Sequence, residues 1–203
     1  MTDIEKRTLP GQLCELRALS DAADAPVRIE GYGAVFNQRS DVLGGVFVEE
    51  IAPGAFDDVL GDDVRALFNH DPNFVLGRTL SKTLTLSIDA RGLAYSITPP
   101  DTQTVRDLVL APLKRGDISG SSFAFRIAPG GEEWREEGAL VVRTITRFRS
   151  LLDVSPVTYP AYPDTQAAQR SLSAWKEAAG DGLHRRAIHQ RAARQRLIQL
   201  LNI

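Results

Sequence analysis

Only three histidines occur in the chain, His70, His184 and His189, and His70 alone lies in the stretch rich in alternating apolar and polar residues. It sits in Leu67-Phe68-Asn69-His70-Asp71-Pro72, where an extended segment delivers it and Asp71-Pro72 turns the chain away. An imidazole on a rigid element with an open face in front is the arrangement a general base needs. The competing reading is a turn histidine with no chemistry. A second candidate is Gly116-Asp117-Ile118-Ser119-Gly120-Ser121-Ser122-Phe123-Ala124-Phe125, three serines and two glycines where a helix gives way to a strand. A serine hydroxyl becomes a useful nucleophile when an adjacent base takes its proton, and glycine permits the backbone approach that oxyanion donors require. Clusters of this composition are otherwise simple loops. The third is Asp153, which interrupts the apolar run Leu151-Leu152-Asp153-Val154. A buried carboxylate is costly unless paired, and an imidazole suits it; the alternative is an edge aspartate facing water.

The elements that must hold these residues read mostly as strands. Residues 13–19 form a short extended candidate, and Val27 to Phe36 begins with alternation. The segment from Val64 to His70 alternates, Thr83 to Asp89 turns at Arg91-Gly92 and returns through Leu93 to Ile97, and a second hairpin joins Glu132-Glu133-Trp134 to Leu140–Ile145 through Gly138. Such frequent period-2 patterning predicts a mainly β fold, a curled or closed antiparallel sheet with peripheral helices. Short helices are expected over Pro53–Leu60 and over Thr102–Arg115, the latter capped by Asp101, packed through Val105, Leu108 and Leu113, and kinked at Pro112. Beyond Pro163 the pattern changes to helical over Thr165–Ala179 and Leu183–Leu201.

Composition limits the functional classes. The 203 residues carry 24 Lys+Arg against 26 Asp+Glu, with 43% hydrophobic residues, enough apolar material for a real core. No apolar run is long enough to cross a membrane as a helix, and the charged start has no apolar run behind it, so no secretory signal is expected. With Cys14 the sole cysteine, neither a disulfide framework nor a cysteine-based zinc site is available, and a reducing cytoplasm is expected. Charge is uneven: residues 1–164 carry 17 basic and 24 acidic side chains, residues 165–203 carry 7 and 2. The body is too acidic for a nucleic-acid reader, and two domains are expected, a β-barrel body over 1–164 and a basic helical tail over 165–203.

The Asn69-His70-Asp71 turn, the Gly120-Ser121-Ser122-Phe123-Ala124-Phe125 strand and Asp153-Val154-Ser155-Pro156-Val157-Thr158-Tyr159-Pro160-Ala161 occur in an order and spacing that resembles the prohead serine proteases of tailed bacteriophages, of the HK97 type. Gly31-Tyr32-Gly33-Ala34-Val35-Phe36, Glu50-Ile51-Ala52-Pro53-Gly54-Ala55-Phe56 and Gly77-Arg78-Thr79 add to a resemblance that covers roughly residues 12–165. It implies a β-barrel similar to herpesvirus assemblin with peripheral helices, and catalysis by His70, Ser122 and Asp153. Ser122 fits the family pattern Gly-x-Ser-Phe-Gly-Phe, with Ala124 in place of the second glycine, and relatives often carry Glu at the position of Asp153. Ser121 becomes the neighbouring residue, and the resemblance implies oxyanion donors at Ala161 or Tyr162. It further implies no metal or organic cofactor, capsid protein and scaffolding segments as substrates, and action inside the immature shell in the host bacterial cytoplasm, without membrane or specific nucleic-acid partners; the sequence leaves open whether the chain forms a homo-oligomer.

Two rivals remain at this level. Ser122, Asp153 and His184 follow the chain order of α/β-hydrolases, but that fold needs strands alternating with helices, whereas this chain shows hairpins. A non-catalytic capsid-assembly β-barrel module would carry the same residues incidentally. The tail, with Leu183, Ala187, Ile188, Ala192, Leu197, Ile198 and Leu201 on one stripe and arginines mostly off it, is expected to recruit the body to acidic scaffold or shell surfaces and to be open to self-cleavage; the alternative is a surface helix packed back on the body, or a solvated extension with no role.

Overall fold

Alternation in the sequence becomes strands nearly wherever it occurs, in a computed structural model that describes residues 3–9, 11–19, 27–138, 140–159 and 167–178. Strands are β1 (Glu5–Leu9), β2 (Arg17–Leu19), β3 (Arg28–Val35), β4 (Phe47–Ile51), β5 (Arg65–Phe68), β6 (Asp71–Arg78), β7 (Leu84–Ile88), β8 (Gly92–Ile97), β9 (Gly120–Ile127), β10 (Glu132–Glu137), β11 (Leu140–Ile145) and β12 (Phe148–Val157). The chain divides into two compact units, Met1–Thr165 and Gln166–Ile203. In the second unit the described residues, 167–178, are helical, and the helix expected over Leu183–Leu201 lies outside the described residues.

The fold is mainly β, but its pairing departs from one closed antiparallel barrel. Among the described residues the strands form three sheets, ordered β1-β9-β12-β5-β6, β2-β3-β8-β7 and β10-β11-β4. Two pairings are parallel, β12 with β5 and β11 with β4. Alternation reports which face of a strand is buried. It carries no information on the direction of a partner distant in sequence. Side chains from the two larger sheets meet in one core: Ile29, Leu93, Tyr95 and Ile97 share it with Phe123, Phe125 and Val154. At its centre Phe56 meets Phe148 in a tilted contact with ring centroids 4.4 Å apart, and Phe125 meets Phe148 at 4.9 Å.

Three local expectations are corrected. Residues 13–19 are not one strand: α1 (Gly11–Cys14) leads to β2 through Glu15, which has φ 46°. Pro53–Leu60 is a chain of turns, because bonds such as Asp57 N–H to Gly54 O and Val59 N–H to Phe56 O span three residues, and Gly54 at φ 85° interrupts any helix. The 102–115 segment is capped by Thr102, not Asp101, through Val105 N–H to Thr102 Oγ1. It then runs as α2 (Gln103–Val105), a π-helical stretch Arg106–Leu110 and α3 (Ala111–Arg115). Pro112 has no N–H to donate, and the wider π turn upstream accommodates it. That turn also rotates the apolar face, so Val109 and Leu110 are buried while Leu108 is exposed.

Charge is buried where β1 meets β4 and β11. Arg7 binds Glu49 (Nε to Oε1, 2.7 Å) and Glu5 (2.6 Å), and Arg143 binds Glu5, Glu49 and Glu132. Burial alone would push the Glu5 carboxyl up, yet the Arg143 and Arg7 guanidinium groups hold it below its ordinary range. The charges offset one another within the network, so removing one leaves an uncompensated buried charge. Arg143→Leu is expected to cost about 3–5 kcal/mol of stability by urea denaturation. Because the folded Glu5 value is depressed, its contribution is present above the ordinary value of 4.5 and is lost as the pH falls below it. The melting temperature of the native chain should therefore fall more steeply below about pH 4.5 than that of Glu5→Gln.

Candidate active site

β9 leaves the left-handed cap Gly116 (φ 86°) and begins at Gly120. It is a regular strand, so successive side chains alternate between faces. Ser121 goes with Phe123 and Phe125, and its hydroxyl pairs with the buried phenol of Tyr95 at 2.9 Å. Burial raises the Tyr95 phenol far above its ordinary value, so it stays neutral there. Ser122 and Ala124 take the other face. Gly120, the first residue of the strand, permits a close backbone approach. A Cβ at this position would meet Val157 Cγ2 at 3.0 Å, so the glycine lets β9 lie close to β12.

Register then assembles the polar group. Ser155 lies opposite Ser122, and Asp153 lies opposite Ala124. A shift between Leu151 and Asp153 sets that alignment, since without it Leu152 would oppose Ala124. Asp153 and Ser155 consequently share a face with Ser122. On the other side of β12, β5 runs parallel, with Asp153 beside Arg65 and Val154 beside Ala66. β5 ends in a two-residue turn, Asn69 (φ 53°) and His70 (φ 57°), before β6 returns with Asp71 opposite Phe68. His70 is thus in the turn itself, and the chain reverses there, ahead of Asp71-Pro72.

A left-handed histidine costs free energy that its surroundings must offset. Asn69 supplies much of that: its N–H donates to Pro156 O (3.0 Å), its Oδ1 accepts from Thr158 N–H (2.9 Å), and its Nδ2 donates to Thr158 Oγ1 (3.3 Å). These bonds fasten the turn to the end of β12. The imidazole then lies between two partners, with Nδ1 2.6 Å from Asp153 Oδ1 and Nε2 2.6 Å from Ser122 Oγ. An ionised Asp153 can only accept, so the neutral ring carries its proton on Nδ1 and turns a lone pair on Nε2 toward the serine. Ser155 Oγ donates to the same Asp153 oxygen at 2.7 Å and lies 3.3 Å from Nδ1. Ser122 and Ser155 are fully buried, and Asp153 is 7% exposed.

His70, Ser122 and Asp153 are therefore brought together, whereas Ser121 faces Tyr95. Asp71 is exposed, and its carboxylate accepts from Asn73 N–H at 2.8 Å. Ala161, Tyr162 and His184 lie outside the described residues. Sequence reasoning missed Ser155 and Asn69. Signals for both existed: Ser155 is two residues from Asp153 on a strand, hence on its face, and asparagine is the residue that best tolerates the first position of such a turn. Among the described residues no cluster of His, Cys, Asp or Glu fit for a metal ion occurs, and no helix is long and apolar enough to cross a membrane.

A β fold with a serine, an imidazole and a carboxylate in hydrogen-bonded sequence has the parts of a serine hydrolase. Residues 14–178 match the sequence profile of the caudovirus prohead serine proteases, and the chain belongs to that family of serine peptidases. No curated protein and no solved structure matches it.

Asn69→Ala removes two side-chain hydrogen bonds and the residue suited to positive φ. It should lower stability by about 1–3 kcal/mol in thermal or urea denaturation, with Asn69→Asp intermediate because its carboxylate can still accept from Thr158 N–H.

Proposed function

We propose that the chain is a prohead serine endopeptidase of the HK97 type that works by acyl transfer, with Ser122 as nucleophile, His70 as general base and then acid, and Asp153 as the group that orients the imidazole and stabilises its charged form. The observation that carries this reading is the imidazole itself, 2.6 Å from a hydroxyl on one side and 2.6 Å from a carboxylate on the other. Ser122 Oγ attacks the scissile carbonyl carbon as its proton passes to His70 Nε2. The same proton then goes to the leaving amine, and water repeats the cycle to release the acid. The tetrahedral oxyanion is received by backbone N–H groups near Ala161 or Tyr162.

The substrates are scaffolding segments and extensions of the capsid protein, cut inside the immature shell in the host cytoplasm. The protease domain spans 1–164, and the basic tail, 165–203, brings it to acidic scaffold or shell surfaces and is a site of self-cleavage. Full burial of Ser122 favours a second reading, a non-catalytic assembly module. Labelling of Ser122 by a fluorophosphonate, lost in His70→Ala, decides for the peptidase; a folded chain that neither labels nor processes capsid protein decides for the module.

Co-expression with the capsid protein and mass spectrometry of the fragments tests the assignment. Ser122→Ala or His70→Ala should lower cleavage on the order of a millionfold. Asp153→Asn should lose about ten-thousandfold through the wrong tautomer, while Asp153→Glu retains substantial activity. Ser155→Ala should reduce kcat by about tenfold with KM unchanged, because a donor to the Asp153 carboxylate is lost. Normal cleavage by Ser122→Ala would overturn the nucleophile assignment.

A further inference from the structure

A peptidase must admit a peptide backbone to its serine, yet the Ser122 hydroxyl is fully buried. β1 covers it. This strand pairs antiparallel with β9, with Thr8 opposite Ser122 and Arg7 opposite Phe123, and it is the edge of its sheet. The Arg7 carbonyl oxygen lies 2.9 Å from Ser122 Oγ, within reach to accept a hydrogen bond from it. That hydroxyl has one proton and two acceptors within reach, His70 Nε2 and Arg7 O. With β1 in place, the proton that His70 must take is shared with a backbone carbonyl. The match to the family begins at residue 14, so β1 lies outside it.

Side chains fix the register of this strand. Glu5 and Arg7, two residues apart, share a face and reach Arg143 and Glu49, which oppose each other on β11 and β4. Arg143 and Glu49 also bind each other at 2.8 Å, so they remain a pair when β1 departs. A strand added to an exposed sheet edge gains affinity from main-chain bonds and specificity from alternate side chains. β1 has both, and its Arg7 carbonyl is hydrogen-bonded to the serine.

We propose that β1 is a built-in plug in the substrate track of this enzyme: substrate adds to the β9 edge as an extended strand once β1 has peeled away, with an acidic residue toward Arg143, a basic residue two positions later toward Glu49, and the bond after that basic residue at Ser122. The proposal rests on Ser122 being the nucleophile. It makes the docked chain a latent peptidase, because plug and substrate compete for one edge. Arg7 in the plug and the basic residue of the substrate would take the same acidic partner.

The full-length chain carrying Lys6→Cys and Ala124→Cys, which are cross-strand partners, allows β1 to be locked by oxidation and freed by reductant. Fluorophosphonate labelling of Ser122 and cleavage of co-expressed capsid protein are the readouts. The oxidised form should lose both, and reduction should restore them. Full-length Arg7→Gln, with the plug loosened, should label about tenfold faster than the native chain, an effect of roughly 1.4 kcal/mol on docking. A synthetic peptide of residues 3–9 should slow labelling of Arg7→Gln, and the same peptide with the Glu5 and Arg7 charges exchanged should not. Equal activity of the locked and reduced forms, with cleavage still abolished by Ser122→Ala, overturns the plug and leaves the catalytic assignment standing. Equal competition by both peptides overturns the proposed charge preference. Absence of Ser122-dependent labelling and cleavage in every form overturns the plug together with the nucleophile.

Discussion

The ladder between β9 and β12 sets the geometry on which the rest of the site depends. Its register puts Ser155 opposite Ser122, and a shift just before Asp153 turns that carboxylate to the serine's face. β12 also carries β5 in parallel on its other edge, and the Asn69–His70 turn at the end of β5 is tied back to Pro156 and Thr158. A single strand thereby controls where the carboxylate, the hydroxyl and the imidazole stand relative to each other. Errors of one residue on β12 would exchange every side chain between faces, so the ladder is a strong specification. Behind it, the packed rings of Phe56, Phe123, Phe125 and Phe148 give the two strands little room to slide.

Among the described residues, two buried polar clusters bear on the site and on β1, and hydrogen bonds within each cluster hold both. Around the imidazole, Asp153 accepts from His70 and from Ser155. Around Arg143, three glutamates and a second arginine close a network at the junction of β1, β4, β10 and β11. Such groups add less net stability than apolar packing would, but they are demanding in geometry and so fix which strand sits where. For β1 this network adds to the backbone ladder with β9: its buried side chains are Glu5 and Arg7, and charge complementarity fixes their place.

Much was legible in the residues. The hairpins β7–β8 and β10–β11 follow directly from period-2 alternation bounded by turn residues, because each is local and its register is set within a few residues. The segments carrying His70, Ser122 and Asp153 were singled out from residue type, and the resemblance tied them to one family, which the match over residues 14–178 bears out. β1 was not legible. Its buried positions are Glu5 and Arg7, and a pattern of inward charges reads as a solvated segment unless the partners, 42 to 138 residues away, are known.

What the sequence by itself determined is therefore local: strand faces, turns, the change of character near residue 165, and the chemical types present at three motifs. Only tertiary structure decided that β5 and β12 run parallel, that a shift at Leu152 aims Asp153 at the imidazole, that Ser121 belongs to Tyr95, and that an edge strand lies over Ser122. The physical reason is the range of the information. Alternation and turn chemistry act over a few residues, whereas strand order, direction and the pairing of buried charges depend on contacts whose partners are far apart along the chain.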